Sequence, residues 1–277
     1  MGVMAGVEFW QLVEFALLLV LAGAVSGFLA GMFGIGGGTV LVPAFFQVYG
    51  AIGVPDDVRM HLSVGSSLAL VVVTAVRSSM AHKKHGVVDE KLLRGWLIAV
   101  PLGALMASVA VAYISSSGLR IVFSVVCVLI AFKLLFGKES WRLGNDLPAN
   151  PLKAVIGTCI GFLSTLMGIG GGVLNNTFMT SFGRPIHQAV ATSAGVGVLI
   201  AVPGFFGYIW AGWGAAGLPP FSTGYVNWLT IALITPLSVL VTPYGVKVAH
   251  AMEKRRLEML LGLYLLTVSA RFFWSLL

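Results

Sequence analysis

Two glycine-rich segments of nearly the same sequence are the residues most able to bind a ligand here. FGIGGGTVLVP occupies residues 33–43, and MGIGGGVLNNT occupies residues 167–177. Glycine costs about 1 kcal/mol against alanine inside a helix, so each segment is expected to interrupt an apolar helix. A helix that restarts after such a break exposes unpaired N–H groups and about half a positive charge. Two such helix N-termini approaching each other would form a site for an anion.

A second pair of matching segments supplies hydroxyl groups downstream of each glycine break. HLSVGSS occupies residues 61–67, and HQAVATS occupies residues 187–193. Two asparagines follow the second break, and an amide within a membrane must face a partner or a cavity. The candidate substrate-binding residues are therefore Gly36, Gly37, Gly38, Thr39, Ser66, Ser67, Gly170, Gly171, Gly172, Asn175, Asn176, Thr192 and Ser193. Close helix packing through glycines and hydroxyls is the alternative explanation for them.

The titratable residues of these segments are histidines rather than acids. His61 and His187 begin the two matching segments, where a structural hydrogen bond and a gating or proton-sensitive role both remain open. The ten Asp and Glu residues fall at span ends or in loops. Hydrogen-bond donors without buried acids favour a small oxyanion over a metal cation, which needs oxygen or thiolate ligands. We therefore expect no catalytic residue, no metal site and no cofactor.

The composition identifies the environment of these segments. Hydrophobic residues make up 58% of the 277 residues and charged residues only 10%, whereas soluble domains carry roughly 25% charged residues. The chain is therefore expected to be an integral membrane protein. The net charge of +7 is explained by basic loops between apolar spans, so nucleic acid is not expected as a partner.

Apolar stretches long enough to approach a bilayer crossing recur along the chain. The candidate membrane spans are residues 9–33, 61–81, 92–114, 119–136, 152–167, 187–210, 225–248 and 257–274. Each glycine break is followed by a shorter apolar piece, at residues 39–49 and 173–182, about half the length needed to cross.

The chain consists of two related halves. GFLAGMFGIGGG at residues 27–38 aligns with GFLSTLMGIGGG at residues 161–172, and the hydroxyl segments align downstream. Internal repeats of this kind indicate a duplicated unit. We assign residues 1–137 to a first membrane repeat, 138–150 to a cytoplasmic linker and 151–277 to a second membrane repeat.

The distribution of basic residues predicts that the two repeats have opposite orientations. Each repeat contains a glycine-broken helical hairpin plus three transmembrane helices, so it makes an odd number of crossings. With the N-terminus outside, only Arg59, Arg120 and Arg271 of the 17 Lys and Arg residues fall outside, which obeys the positive-inside rule. The predicted fold is an all-α integral membrane protein of two inverted-topology repeats. Both termini lie on the outer, periplasmic side of the inner (plasma) membrane.

These motifs resemble those of the TauE/SafE family of sulfite and organosulfonate exporters. The resemblance rests on GIGGG in both halves, on the two hydroxyl segments, and on LPPFSTGYVNW followed by TPLSVLVTPYGVKVAHAM. It implies a secondary transporter that exports sulfite or organosulfonates such as sulfoacetate by alternating access. The site would then lie near the membrane midplane, between the two GIGGG hairpins.

Three alternatives to export remain at this stage. An anion channel would use the glycine loops as a filter, and an importer would carry another small oxyanion such as thiosulfate. An intramembrane enzyme would need a buried nucleophile, base or metal ligands at working spacing. The expected partners are a small anionic substrate and the lipid bilayer, with a homodimer as a possible assembly.

Overall fold

The computed structural model describes residues 20–21, 23–25, 27–29, 38–84, 87–137, 143–144 and 146–276. Most of the predicted span at residues 9–33 lies outside the described residues, as do the candidates Gly36 and Gly37. The described residues between 20 and 29 are helical. The second glycine break and all the remaining candidate residues fall within the described part of the chain.

The regular secondary structure of the described residues consists of helices and one short antiparallel pair of strands. The helices are α1 (Gly38–Ala51), α2 (Asp56–Lys84), α3 (Glu90–Gly95), α4 (Ala99–Val111), α5 (Ser116–Phe136), α6 (Leu152–Met167), α7 (Gly172–Ser181), α8 (Ile186–Ala211), α9 (Trp228–Ala251) and α10 (Lys254–Trp274). The strands β1 (Ser222–Thr223) and β2 (Val226–Asn227) pair immediately before α9.

Five helices are long and apolar enough to cross a membrane among the residues described. They lie at Asp56–Met80, Ser116–Phe136, Ile186–Ala211, Trp228–Gly245 and Arg255–Trp274. Three shorter apolar helices, α1, α4 and α6, accompany them. The predicted all-α membrane protein is therefore confirmed, and α1 and α7 are the short helices expected after the two glycine breaks.

One predicted span differs from the structure. The single helix expected at residues 92–114 is two helices, α3 and α4, separated by a turn at residues 96–98. Pro101 explains the interruption, because its ring would clash with the carbonyl of Leu97 and it donates no hydrogen bond. The buried Trp96 ends α3 and donates its indole N–H to the backbone oxygen of Lys153 at 2.8 Å.

Helices α2 and α8 form the centre of the molecule, and they pack closely along each other. Gly197 of α8 lies against the second glycine break, where an added Cβ would come within 2.8 Å of the backbone oxygen of Gly170. Gly204 packs against Leu68 and Thr165 in the same region. Helix α8 therefore approaches the backbone of the break closely at Gly197 and packs against side chains of α2 and α6 at Gly204.

A second close contact joins α4 to α6. Gly103 faces the backbone oxygen of Thr158, and Gly161 faces that of Val100, so neither position has room for a Cβ. Helices α5 and α10 pack against each other in the same way as α2 and α8, as a long pair. Small residues let membrane helices approach closely, where dispersion contacts replace the missing hydrophobic effect.

We expect Gly161→Ala to destabilise the protein by about 1–3 kcal/mol, because the new methyl group would overlap the Val100 carbonyl and separate α4 from α6. Thermal unfolding of the purified protein in detergent measures the change. Gly95→Ala is the matched control, since its Cβ would meet only the flexible end of Lys153 at 3.3 Å. Equal melting temperatures for the two variants would contradict the proposed close contact.

Candidate functional site

The second glycine break has a defined backbone geometry. Helix α6 ends at Met167, Gly168 adopts φ 67°, and Gly171 adopts φ 71° immediately before α7 begins at Gly172. Both angles lie in the left-handed region, which only glycine adopts without strain. The sequence Gly-Ile-Gly-Gly-Gly is therefore what lets the chain leave α6 and re-enter a helix within four residues.

The chain returns after the break to the end of the molecule from which α6 started. The backbone N–H of Leu143, upstream of α6, donates to the backbone oxygen of Ser181 at the end of α7 at 2.8 Å. Arg184 lies 3.6 Å from Asp146 in an ion pair at the same end. A cavity of about 440 Å³ is lined there by Lys153 from α6 and by Arg184. Helices α6 and α7 thus form a hairpin with the glycine break at its tip.

The tip of this hairpin lies against the start of α1. A Cβ added to Gly38 would come within 2.6 Å of the Cα of Ile169 and would overlap the backbone oxygen of Gly168. Gly38 and Thr39 are both buried, and the Oγ1 of Thr39 has no hydrogen-bond partner among the described residues. The structure therefore brings the start of one short helix into contact with the break that precedes the other.

Ser67 connects the central helix α2 to the break. Its Oγ donates to the backbone oxygen of Gly168 at 2.8 Å, and both residues are buried. The hydroxyls of Ser164 and Thr165 near the end of α6 are buried without a hydrogen-bond partner in the described part of the chain. Buried polar groups are normally paired with protein atoms or ordered water, so these hydroxyls are available to a ligand or to water.

Ser193 lies between the two asparagines of α7. The Nδ2 of Asn175 donates to the Oγ of Ser193 at 2.6 Å, and that Oγ donates to the Oδ1 of Asn176 at 2.6 Å. The Oδ1 of Asn175 is buried and unpaired within the described residues. The structure thus unites three candidate residues in one hydrogen-bonded group beside the second break. Leu41 and Val42, the corresponding residues of α1, are buried in the apolar core.

Ser66 and Thr192, the first hydroxyls of each motif, bind the starts of other helices. The Oγ of Ser66 accepts from the backbone N–H of Asn227 at 3.0 Å, and the Oγ1 of Thr192 accepts from that of Asp89 at 2.9 Å. Asn227 and Asp89 are the capping residues that precede α9 and α3. Each motif hydroxyl therefore positions a helix N-terminus.

Asp89 and Asn227 are helix-capping positions in contact with candidate residues, and the motif analysis missed them. Asp89 accepts from the backbone N–H of Leu92 at 3.0 Å, and Asn227 accepts from that of Thr230 at 2.8 Å. Asp and Asn three residues ahead of these N–H groups match the standard N-cap preference. The segments VVDEKLL and YVNWLTI contain the Asp and Asn that favour a helix N-cap. The sequence does not show that each of these residues also contacts a hydroxyl on a distant helix.

The two candidate histidines have different environments. His61 is 4% exposed, its Nε2 lies 2.9 Å from the backbone oxygen of Ile114, and its ring stacks on Tyr225 with centroids 4.8 Å apart. His187 is exposed at the start of α8. No hydrogen bond joins either histidine to the hairpin tip in the described part of the chain. The hydrogen bond of His61 fits the structural alternative, and the gating or proton-sensitive alternative stays a prediction.

Comparison with known proteins identifies the relatives of this chain. The family model for sulfite exporter TauE/SafE matches residues 19–272. A probable membrane transporter protein of Haemophilus influenzae is 31% identical over 260 residues, covering 94% of this chain and 98% of the relative. A probable membrane transporter protein of Methanocaldococcus jannaschii is 27% identical, covering 88% and 90%. Probable membrane transporter protein YunE of Bacillus subtilis is 24% identical, covering 93% and 97%. No solved structure gives a significant match.

We expect Ser66→Ala to destabilise the protein by about 1–3 kcal/mol, because it leaves the buried N–H of Asn227 and the hydroxyl of Tyr49 without their acceptor. Thermal unfolding measures the loss. Ser63→Ala is the matched control, because the Ser63 hydroxyl donates only to the Arg59 backbone oxygen one turn away. If Ser66→Ala melts at the same temperature as the control, the hydroxyl does not support the start of α9.

Proposed function

The chain belongs to the TauE/SafE sulfite exporter family, and on that basis we propose that it is a secondary transporter exporting small sulfur oxyanions. Sulfite and organosulfonates such as sulfoacetate are the proposed substrates. They would bind between the two glycine-broken hairpins and reach either side by alternating access. In this proposal the site is a binding site, and no residue of it breaks or forms a covalent bond.

The observation that carries this proposal is the contact between Gly38 and the second glycine break. Irregular backbone is tolerated at membrane depth only where protein or a watery cavity satisfies it. Broken helices at the midplane, with helix N-termini directed at an anionic substrate, are typical of secondary transporters. The N–H groups in the first turns of α1 and α7 lack intrahelical partners, so they can donate to an oxyanion.

The polar side chains around this contact suit an anion. In the described part of the chain, the buried polar residues carry hydroxyls, amides, one imidazole and one guanidinium. Thr39, Ser164 and Thr165 each have an unpaired hydroxyl, and the pair Asn175–Ser193 can reorient its donors toward a ligand. A hydrogen bond to a charged partner contributes about 1.5–3 kcal/mol, so a few such donors would give useful affinity.

The proposed inverted repeat is supported by contacts that recur between the two halves. The motif alignment pairs Ser66 with Thr192, and each hydroxyl accepts from the cap residue of a helix in the opposite half. Gly161 packs against Val100, and the aligned Gly27 packs against Ser238. A Cβ added to Gly27 would lie 2.5 Å from the backbone oxygen of Ser238 and 2.6 Å from its Cα. A two-fold relation between residues 1–137 and 151–277 would produce such exchanged contacts.

The C-terminal ends of the two short helices suggest how access could alternate. Lys133 of α5 donates to the Oγ of Ser181 at 2.5 Å and to the backbone oxygen of Thr177 at the end of α7. Arg271 of α10 donates to the Oε1 of Gln47 near the end of α1 at 2.8 Å. A cation stabilises a helix C-terminus. In the proposed mechanism, one of these contacts opens while the other stays closed, exposing the site to one side.

We expect removal of the Ser193 hydroxyl or the Asn175 amide to weaken sulfite binding about ten-fold or more, because each loses a charge-assisted donor. Sulfite should raise the melting temperature of the wild-type protein, and the required concentration should increase in Ser193→Ala and Asn175→Ala. Thr180→Ala is the control, since its hydroxyl donates to the Asn176 backbone oxygen within α7. Stabilisation by divalent cations instead of sulfur oxyanions would disprove the assignment.

We expect reporter fusions at Lys83 and Gly217 to lie on opposite sides of the membrane. Lys83 lies in the last turn of α2, on the basic side of the proposed topology. Gly217 lies at the other end of α2, where a Cβ added to it would come within 3.0 Å of the Pro55 side chain. Alkaline phosphatase and green fluorescent protein fusions report the periplasmic and cytoplasmic sides respectively. Activity of the same reporter at both positions would contradict the inverted topology.

A further inference from the structure

Arg59, Arg120 and Arg271, the three basic residues that the topology prediction places on the outer side, lie near one another at one end of the molecule. Arg59 and Arg120 both lie over the ring of Phe46, at 5.2 and 5.5 Å from its centroid. Arg271 donates to Gln47, the residue that follows Phe46 in α1. Positive charge is disfavoured on the outer side of a membrane protein, so three arginines meeting at one place call for a specific role.

A cavity of about 630 Å³ lies among these residues. Its walls include Phe46, Gln47, Arg59, Arg271, Phe272 and Trp274, and we call it the arginine cavity. Its lining among the described residues contains two guanidinium groups and no carboxylate. The cavity is large enough for a small oxyanion together with several waters, since one water occupies about 30 Å³ in the liquid.

Among the described residues, the charges near this cavity leave it positive. Arg120 is almost fully buried and is paired with Asp56 and with the backbone oxygen of Ser275 at 3.0 Å. Arg59 also contacts Asp56, with Nη1 3.4 Å from Oδ1, and its Nε and Nη2 donate to the backbone oxygen of Val54 at 3.1 and 2.9 Å. One Asp56 carboxylate therefore serves two guanidinium groups, while Arg271 has a neutral amide as its partner. A concave surface lined by one sign of charge concentrates counter-ions.

We propose that the arginine cavity binds an oxyanion through Arg59 and Arg271. The ligand class is a pyramidal or tetrahedral oxyanion, which the guanidinium group of Arg271 can bind with two parallel hydrogen bonds. Arg59, whose Nε and Nη2 are held by Val54, contributes mainly its positive charge. As a vestibule for the transported sulfur oxyanion, the cavity extends the proposed function and rests on it. A phosphate group of a lipid shares this chemistry, so the experiment below separates the two sources.

The contact between Arg271 and Gln47 connects this cavity to the central site. An oxyanion that takes the Nη2 donor of Arg271 competes with the Oε1 of Gln47 for it. Gln47 and Thr39 belong to the same helix α1, eight residues or about 12 Å apart. Occupation of the cavity therefore removes one restraint from the helix whose other end contacts the second glycine break.

Trp274 provides a local reporter, because it lines the cavity and is 80% exposed. The fluorescence difference between the full-length protein and Trp274→Phe isolates its signal. We expect iodide to quench this signal more strongly than neutral acrylamide does, and the iodide-to-acrylamide ratio to fall at least about two-fold in Arg271→Gln and Arg59→Gln. Arg94→Gln is the control, because Arg94 is an exposed arginine of α3 that pairs with Glu90 of the same helix and does not line the cavity. This variant should leave the ratio unchanged.

Competition identifies the source of the oxyanion. Sulfite that suppresses iodide quenching in phosphatidylcholine vesicles supports a vestibule for the free anion. Suppression by phosphatidylglycerol vesicles without an effect of sulfite supports a lipid phosphate in the cavity. An equal response to iodide and acrylamide, or an unchanged ratio in Arg271→Gln, overturns the proposal. Sulfite stabilisation of the whole protein, measured separately, tells whether export of sulfur oxyanions survives such a failure.

Discussion

A helix that is interrupted inside a membrane leaves backbone groups that lipid cannot satisfy, and this constraint organises the structure around the second glycine break. The backbone N–H of Ile169 donates to Ser164 at 3.0 Å, and the Gly168 oxygen accepts from Ser67 at 2.8 Å. Gly38 and Gly197 supply close backbone packing on other sides. Protein atoms therefore enclose the break, and its glycine-rich backbone is buried.

The element pattern could be predicted from apolar length and glycine position to within a few residues. Helix α6 runs from Leu152 to Met167, as the sequence predicts, and both short helices begin within one residue of the expected positions. The break between α3 and α4 was missed because residues 96–114 are apolar or small throughout, so only Arg94, Gly95 and Pro101 mark it. The inverted orientation of the repeats remains a prediction from charge.

The sequence predicts which residues belong to the candidate site better than it predicts the hydrogen-bond partner of each one. The sequence placed Ser66, Ser67, Thr192 and Ser193 in one class because they occupy equivalent motif positions. Tertiary contacts separate them: the first hydroxyl of each motif binds a helix cap, whereas Ser67 and Ser193 face the hairpin. Adjacent residues on a helix point about 100° apart, so neighbouring hydroxyls cannot share one partner.

The two short helices α1 and α7 begin at equivalent motif positions but differ in side-chain chemistry. Asn175 and Asn176 stand where the first half has Leu41 and Val42, and the amides bind Ser193 rather than the break. The starts of α1 and α7 each carry backbone N–H groups without an intrahelical partner, whereas the two amides and the serine that binds them belong to the second half. In the proposed transporter, a bound oxyanion would therefore gain one side-chain donor from α1, at Thr39, and the others from the hairpin of α6 and α7 and from α8. Movement of that hairpin would change affinity more than an equal movement of α1, so the two access states need not bind substrate equally well.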